Sequence, residues 1–126
     1  MRSPNILVAD DDPETRELIR LILKDAGMKV VLGENGSQLL ELWRANPIDL
    51  IILDVMMPVM DGQTSIQAIR KINPQIRIIA ASGLAEKDKL ETIANIQVQA
   101  FLPKPYTAER LLRTIHEVSN TKKKNF

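Results

Sequence analysis

Short apolar runs rich in β-branched residues recur along this chain, each followed by a longer stretch with helical spacing. Leu50-Ile51-Ile52-Leu53 is the clearest run: it has no polar face and stops abruptly at Asp54. A strand of that kind is buried on both sides, which is the signature of a parallel sheet covered by helices. Ile6-Leu7-Val8-Ala9, Met28 to Leu32, Ile76 to Ala80 and Val98 to Leu102 read as the other strands. Five βα units in succession predict a doubly wound α/β fold with helices on both faces of a parallel sheet, a three-layer sandwich. Right-handed crossovers leave few topologies for it.

The helical stretches carry their own punctuation. Leu18, Ile19, Ile22, Leu23 and Ala26 repeat at three- and four-residue spacing, with Asp12 as N-cap, Pro13 at the first helical position and Gly27 just past the end. A second helix is expected from Ser37 to Ala45, and Val55 to Gly62 is expected to be a loop because it holds Pro58 and Gly62. Further helices are expected over residues 63–72 and 85–94. Thr107 caps a last one that carries Leu111, Leu112, Ile115 and Val118 on one side. Residues 1–120 then form a single domain and 121–126, with Lys122-Lys123-Lys124, a basic tail.

Composition narrows the function. The 126 residues hold 17 Lys plus Arg against 16 Asp plus Glu, a net charge of +1, which is no footprint for nucleic acid. The absence of cysteine excludes disulfides, thiolate catalysis and Cys-ligated zinc. The N-terminus has no signal-peptide apolar region, and no stretch is long and apolar enough to span a bilayer. The expectation is a soluble, cytoplasmic protein with neither nucleic acid nor membrane as partner.

Polar residues stand at the carboxyl ends of four of the five strands. Asp10-Asp11-Asp12 follows the first, Asp54 the third, Ser82 the fourth and Lys104 the fifth. In open α/β sheets, ligands bind beyond those ends. Neighbouring carboxylates repel one another and invite a hard divalent cation; Mg²⁺ is commonly held by one or two carboxylates, waters and phosphate oxygens. Capping takes one aspartate, Asp12, so Asp10 and Asp11 are the expected metal pair. Lys104 between two prolines offers a compact cation for an anionic group, and Ser82 a hydroxyl donor.

Taken together, Ile6 to Asp12, Leu53 to Gly62, Ala81-Ser82-Gly83 and Phe101-Leu102-Pro103-Lys104-Pro105 resemble the receiver domain of two-component response regulators, chemotaxis regulators among them. The resemblance covers about Asn5 to Val118, and the motifs are specific as a set although each alone is weak. It implies a flavodoxin-like fold with strand order 2-1-3-4-5, the order known for chemotaxis receivers and carried over from them. It also implies Mg²⁺ held by Asp10, Asp11, Asp54 and the backbone carbonyl of Met56. Asp54 would be the phosphoacceptor, assisted by Lys104 and Ser82. Ser82 and Phe101 would form the switch, and the Lys104–Pro105 peptide would be cis. The partners implied are a histidine kinase or phosphotransfer protein upstream and a protein downstream, with the receiver a monomer or weak dimer. Such a domain is a signalling module that catalyses only its own phosphorylation and dephosphorylation.

Other readings of the same residues fare less well. An aspartyl-phosphate hydrolase needs a second carboxylate two residues after the nucleophile, where this chain has Met56. A nucleotide or flavin binder needs a glycine-rich first loop rather than an acidic one. A receiver-like scaffold that is never phosphorylated remains the alternative, although no piece of the site is missing. Phe101 also reads more simply as a core aromatic. His116 reads as a surface or half-buried histidine on the last helix, and Met56, Met57 and Met60 as packing. No output domain follows residue 119, so the chain is expected to be a stand-alone receiver or one cut from a larger protein.

Overall fold

The computed structural model describes residues 4–35, 38–54, 59–82 and 98–121. Strands β1 (Asn5–Ala9), β2 (Lys29–Gly33), β3 (Leu50–Asp54), β4 (Arg77–Ser82) and β5 (Ala100–Pro103) form one parallel sheet in the order β2-β1-β3-β4-β5. The described helices are α1 (Pro13–Asp25), α2 (Leu39–Ala45), α3 (Val59–Ile72) and α4 (Ala108–Thr121).

Strand alternation sorts the apolar runs into two cores. Ile6, Val8, Leu50, Ile52, Ile79 and Leu102 pack with Ile19 and Leu23 of α1 and with Leu111, Ile115 and Val118 of α4. Leu7, Ala9, Ile51, Leu53 and Ile78 pack with Leu39 of α2 and with Ile66 and Ile69 of α3. The sheet is therefore the middle of three layers, and the central strands are apolar between their ends because both faces are covered. The flavodoxin-like architecture and strand order read from the sequence are those observed.

Local signals place the elements. The Asp12 side chain accepts from the Glu14 N–H at the start of α1. At the other end Gly27 adopts φ +81°, so that its N–H reaches the Lys24 carbonyl and the Met28 N–H the Leu23 carbonyl. That pair of bonds is a Schellman closure, which needs a residue tolerant of positive φ. The Thr107 hydroxyl accepts from the Arg110 N–H ahead of α4. Side chains also fix the strand starts. Asp49 Oδ2 accepts from the Asn5 N–H at 2.8 Å, and Arg70 Nη1 donates to the carbonyls of Pro74 and Ile76 between α3 and β4.

Several boundaries differ from expectation: β2 spans Lys29–Gly33 rather than Met28 to Leu32, and β5 Ala100–Pro103 rather than Val98 to Leu102. Helix α3 begins at Val59, so residues 59–62 are helical rather than loop. A glycine in a helix costs about 1 kcal/mol, less than α3 recovers by burying Ile66 and Ile69 completely. Helix α2 begins at Leu39, and β4 runs two residues further, to Ser82. The helix expected over 85–94 and the tail 122–126 lie outside the described residues. Among those described, no helix is long and apolar enough to cross a membrane.

The two sides of α1 differ enough to be tested. Leu23 is fully buried, whereas Leu21 is 51% exposed. Leu23→Ala is expected to lower unfolding free energy by about 2–5 kcal/mol. Leu21→Ala is expected to change it by no more than about 0.5 kcal/mol. Urea denaturation followed by circular dichroism measures both.

Candidate functional site

Strand pairing brings the acidic residues together. Ala9 pairs with Leu53, so the next residue of each chain segment, Asp10 and Asp54, leaves the sheet at adjacent points. Both are almost fully buried, at 2% and 3% exposure. Oxygens of Asp10, Asp11 and Asp54 lie within 4.8 Å of one another, with Asp11 on the solvent side.

Lys104 follows β5, two strands away from β3. Neighbouring strands are spaced about 4.8 Å apart, and the four-carbon stem of lysine covers much of that span. Its Nζ lies 3.1 Å from Asp10 Oδ2 and 3.2 Å from Asp54 Oδ2. The Lys104–Pro105 peptide is cis. Burial works to lower the Lys104 pKa, but the charges of Asp54 and Asp10 outweigh it, and the ammonium is held above its ordinary range.

Asp10 is fixed at every polar atom. Its N–H donates to the Gly33 carbonyl, Oδ1 accepts from the Asp12 N–H, Oδ2 faces Lys104, and its carbonyl accepts from Arg16 Nη1 at 2.8 Å. Asp12 is committed elsewhere. One of its oxygens accepts from the Thr15 hydroxyl at 2.7 Å and the other from the Glu14 N–H, and these bonds, Thr15's first, hold its pKa below the ordinary carboxylate value. The division made from sequence, with Asp12 capping and Asp10 and Asp11 facing the site, is the arrangement found.

The remaining expected site residues are placed less fully. Ser82 ends β4 opposite Pro103, one residue before Lys104, and its side chain lies outside the described residues. Met56 lies outside them altogether, as do Val55 and Met57. Phe101 is 40% exposed, which corrects the reading of it as a core aromatic. On β5 it alternates with Ala100 and Leu102, which pack into the core shared with α1 and α4. Phe101 therefore faces the opposite side, on a strand at the edge of the sheet. His116 is exposed, and its Nε2 lies 3.1 Å from Asn120 Nδ2.

Two residues of this region were not singled out from the sequence. Arg16 stands on α1 like any helical arginine, and only the fold shows that it holds the Asp10 carbonyl. Tyr106 packs against the core, and its buried hydroxyl has no hydrogen-bond partner among the described residues. Burial pushes its pKa up to about 12, with Lys104 opposing and Asp10 and Asp54 reinforcing the shift.

Among the described residues, three carboxylates gather at the sheet edge, and the Lys104 ammonium touches two of them. That donor set of hard oxygens suits a divalent cation such as Mg²⁺. A doubly wound parallel sheet with an acidic cluster and a lysine at its carboxyl edge is the arrangement expected of a receiver domain. The response regulator receiver domain family matches residues 6–116, and the chain belongs to that family.

It is 36% identical over 124 residues to the autoinducer 1 sensor kinase/phosphatase LuxN of Vibrio campbellii, spanning 98% of this chain but 14% of that protein. Against the chemotaxis protein CheY of Bacillus subtilis it is 34% identical over 116 residues, 91% of this chain and 97% of the relative. Among solved structures, a receiver domain protein from Clostridium thermocellum superposes with a TM-score of 0.83 at 28% identity, covering 98% and 99% of the two chains. The receiver domain of a sensor histidine kinase from Pseudomonas aeruginosa, with magnesium coordinated in its active site cleft, superposes at 0.82 with 25% identity over 93% and 98%.

The charges at this edge predict an alkaline limit to stability. Lys104 and Tyr106 both have folded pKa values above their ordinary 10.5 and 10.0. A group raised in the folded state stabilises fully below its unfolded pKa and loses that contribution as pH climbs toward the folded value. Unfolding free energy is therefore expected to fall from about pH 10 upward, and less steeply in Tyr106→Phe. Urea titrations between pH 8 and 11.5 check this; equal slopes in the two proteins would refute the Tyr106 share.

Proposed function

We propose that this receiver accepts a phosphoryl group on Asp54 from a phosphohistidine of a histidine kinase or phosphotransfer protein. The observation that carries the reading is Lys104, whose ammonium touches Asp10 and Asp54 together beside Asp11. Asp10, Asp11 and Asp54 would hold Mg²⁺, with the Met56 backbone carbonyl as a further ligand by family resemblance. When bound, Mg²⁺ neutralises charge on the phosphoryl oxygens.

The chain's own groups supply the rest. Asp54 presents a carboxylate oxygen at the end of a rigid, fully buried strand, and catalysis of phosphoryl transfer is mostly positioning of this kind. Lys104 exchanges its contact with Asp54 Oδ2 for the arriving phosphoryl oxygens, and Ser82 donates its hydroxyl to the same group. The acyl phosphate that results changes charge and hydrogen bonding at the sheet edge. Phe101, exposed on β5 three residues before Lys104, moves inward behind Ser82 and alters the surface offered to a downstream protein. Phosphorylation selects between states already in equilibrium.

On this reading the chain is a signalling module of residues 1–120 with a basic tail, 121–126. It works in the cytoplasm as a monomer or weak dimer and catalyses only its own phosphorylation and dephosphorylation.

Intact-protein mass after incubation with phosphoramidate tests it. One labile phosphoryl group is expected on the wild type with Mg²⁺ and none on Asp54→Asn; no gain on folded wild type would leave a non-phosphorylated scaffold. Metal binding is tested separately. Mg²⁺ at ten times its dissociation constant is expected to add about 1.4 kcal/mol of stability, raising Tm by several degrees, with a smaller rise in Asp54→Asn. An unchanged melting curve at millimolar Mg²⁺ would count against the metal site.

A further inference from the structure

The three carboxylates of the acidic edge are not held equally. Asp10 is fixed through both carboxylate oxygens, by the Asp12 N–H at 2.9 Å and by Lys104 at 3.1 Å. Asp54 ends a buried strand and faces the same ammonium at 3.2 Å. Asp11 is exposed, and its side chain makes no hydrogen bond or ion pair among the described residues. Its place in the cluster is therefore set by the backbone that carries it. The peptide from Asp10 to Asp11 is planar, so a group that fixes the Asp10 carbonyl oxygen also fixes the direction in which the chain leaves for Asp11. Arg16 is that group: from the second turn of α1 its Nη1 donates to the Asp10 carbonyl at 2.8 Å, in a partly buried contact. A charged donor makes this bond stronger than a neutral one would. Because it grips main chain, it uses up no carboxylate oxygen.

We propose that Arg16 is a positioning residue for the metal, setting Asp11 through the Asp10–Asp11 peptide and so determining the affinity for Mg²⁺. The inference rests on the reading of Asp10, Asp11 and Asp54 as metal ligands and extends it to a residue outside the acidic cluster. Mg²⁺ demands near-ideal octahedral oxygens at about 2.0–2.1 Å, so it tolerates little displacement of a ligand. Groups that orient metal ligands from behind govern affinity for this reason. The sign of the effect separates positioning from plain electrostatics. A guanidinium close to a cation site repels the cation, so removing its charge alone tightens Mg²⁺ binding. Removing the tie to Asp10 loosens it.

The test follows Tm against MgCl2 concentration at constant ionic strength, which gives two readings for each protein. The metal-free Tm reports any structural share of the contact, and the rise with MgCl2 gives the Kd. Arg16→Met, which keeps the length of the side chain but neither charge nor donor, is expected to raise the Kd about tenfold or more. The tie is a single N–H to a carbonyl, which an ammonium also supplies, so Arg16→Lys is expected to stay within about threefold of wild type. Arg20→Met removes the same charge from α1 at a residue paired with Glu17, and is expected to leave the Kd within about twofold. An unchanged or lower Kd in Arg16→Met, whatever its metal-free Tm, would overturn the proposal, as would an Arg16→Lys as weak as Arg16→Met. Should Arg16→Met not fold, Arg16→Gln, too short to reach the carbonyl, takes its place with the same expectation. A wild-type Tm that ignores MgCl2 would instead sink the metal reading itself, and the role of Arg16 with it.

Discussion

The ammonium of Lys104 sits between two carboxylates that the fold removes almost entirely from water, and the geometry of the sheet edge depends on it. Removing one partner from a buried ion pair costs about 3–5 kcal/mol, because the charge left behind is uncompensated. Asp10 and Asp54 are 2% and 3% exposed, and both lie within 3.2 Å of the same nitrogen. The strand order makes this possible: β1, β3, β4 and β5 are consecutive neighbours, so residues leaving their ends share one edge. Had β5 paired elsewhere, its lysine would be out of reach.

The same ion pair leaves the site unfinished. Lys104 offsets one negative charge, and Asp11 adds a third carboxylate that the ammonium does not contact within ion-pair distance among the described residues. Asp12 cannot relieve the excess by turning away, for it is already oriented by the Glu14 N–H and the Thr15 hydroxyl. Among the described residues, carboxylate oxygens exceed the ammonium that faces them, and Asp11 is on the solvent side. A dication is the economical complement, and phosphate oxygens are what such a dication and a lysine jointly attract.

Much of this was legible in the sequence because the relevant signals are local. The apolar run before Asp54, the Asp12-Pro13 start of α1, Gly27 and Thr107 each act through neighbours within a few residues, and each stands where it was expected. The signals that misled are those a wider context decides. Gly62 looks like a breaker, yet it sits inside α3, because burial of Ile66 and Ile69 outweighs a helix propensity of about 1 kcal/mol. Phe101 looks like core, yet strand alternation at the sheet edge turns it outward. Arg16 was invisible because its partner is a backbone carbonyl six residues earlier, and no pattern of residue types encodes that contact.

Changes of charge at this edge reach two helices within a few residues. Helix α1 starts three residues after Asp10, and α4 four residues after Lys104. Both present their N-terminal ends, the positive ends of their dipoles, toward segments that leave the acidic edge. Their caps differ in kind: Asp12 is charged and adjoins Asp11, whereas Thr107 is neutral. A redistribution of negative charge among Asp10, Asp11 and Asp54 therefore acts unequally on the two helix starts, more strongly on α1, whose cap belongs to the same acidic run. The other end of the lever is Arg16, which ties the second turn of α1 to the Asp10 carbonyl at 2.8 Å. That tie opposes any movement of the acidic loop away from the helix, so a response to charge at the edge is resisted on the β1 side. On the β5 side, Lys104 bridges back to the carboxylates of Asp10 and Asp54.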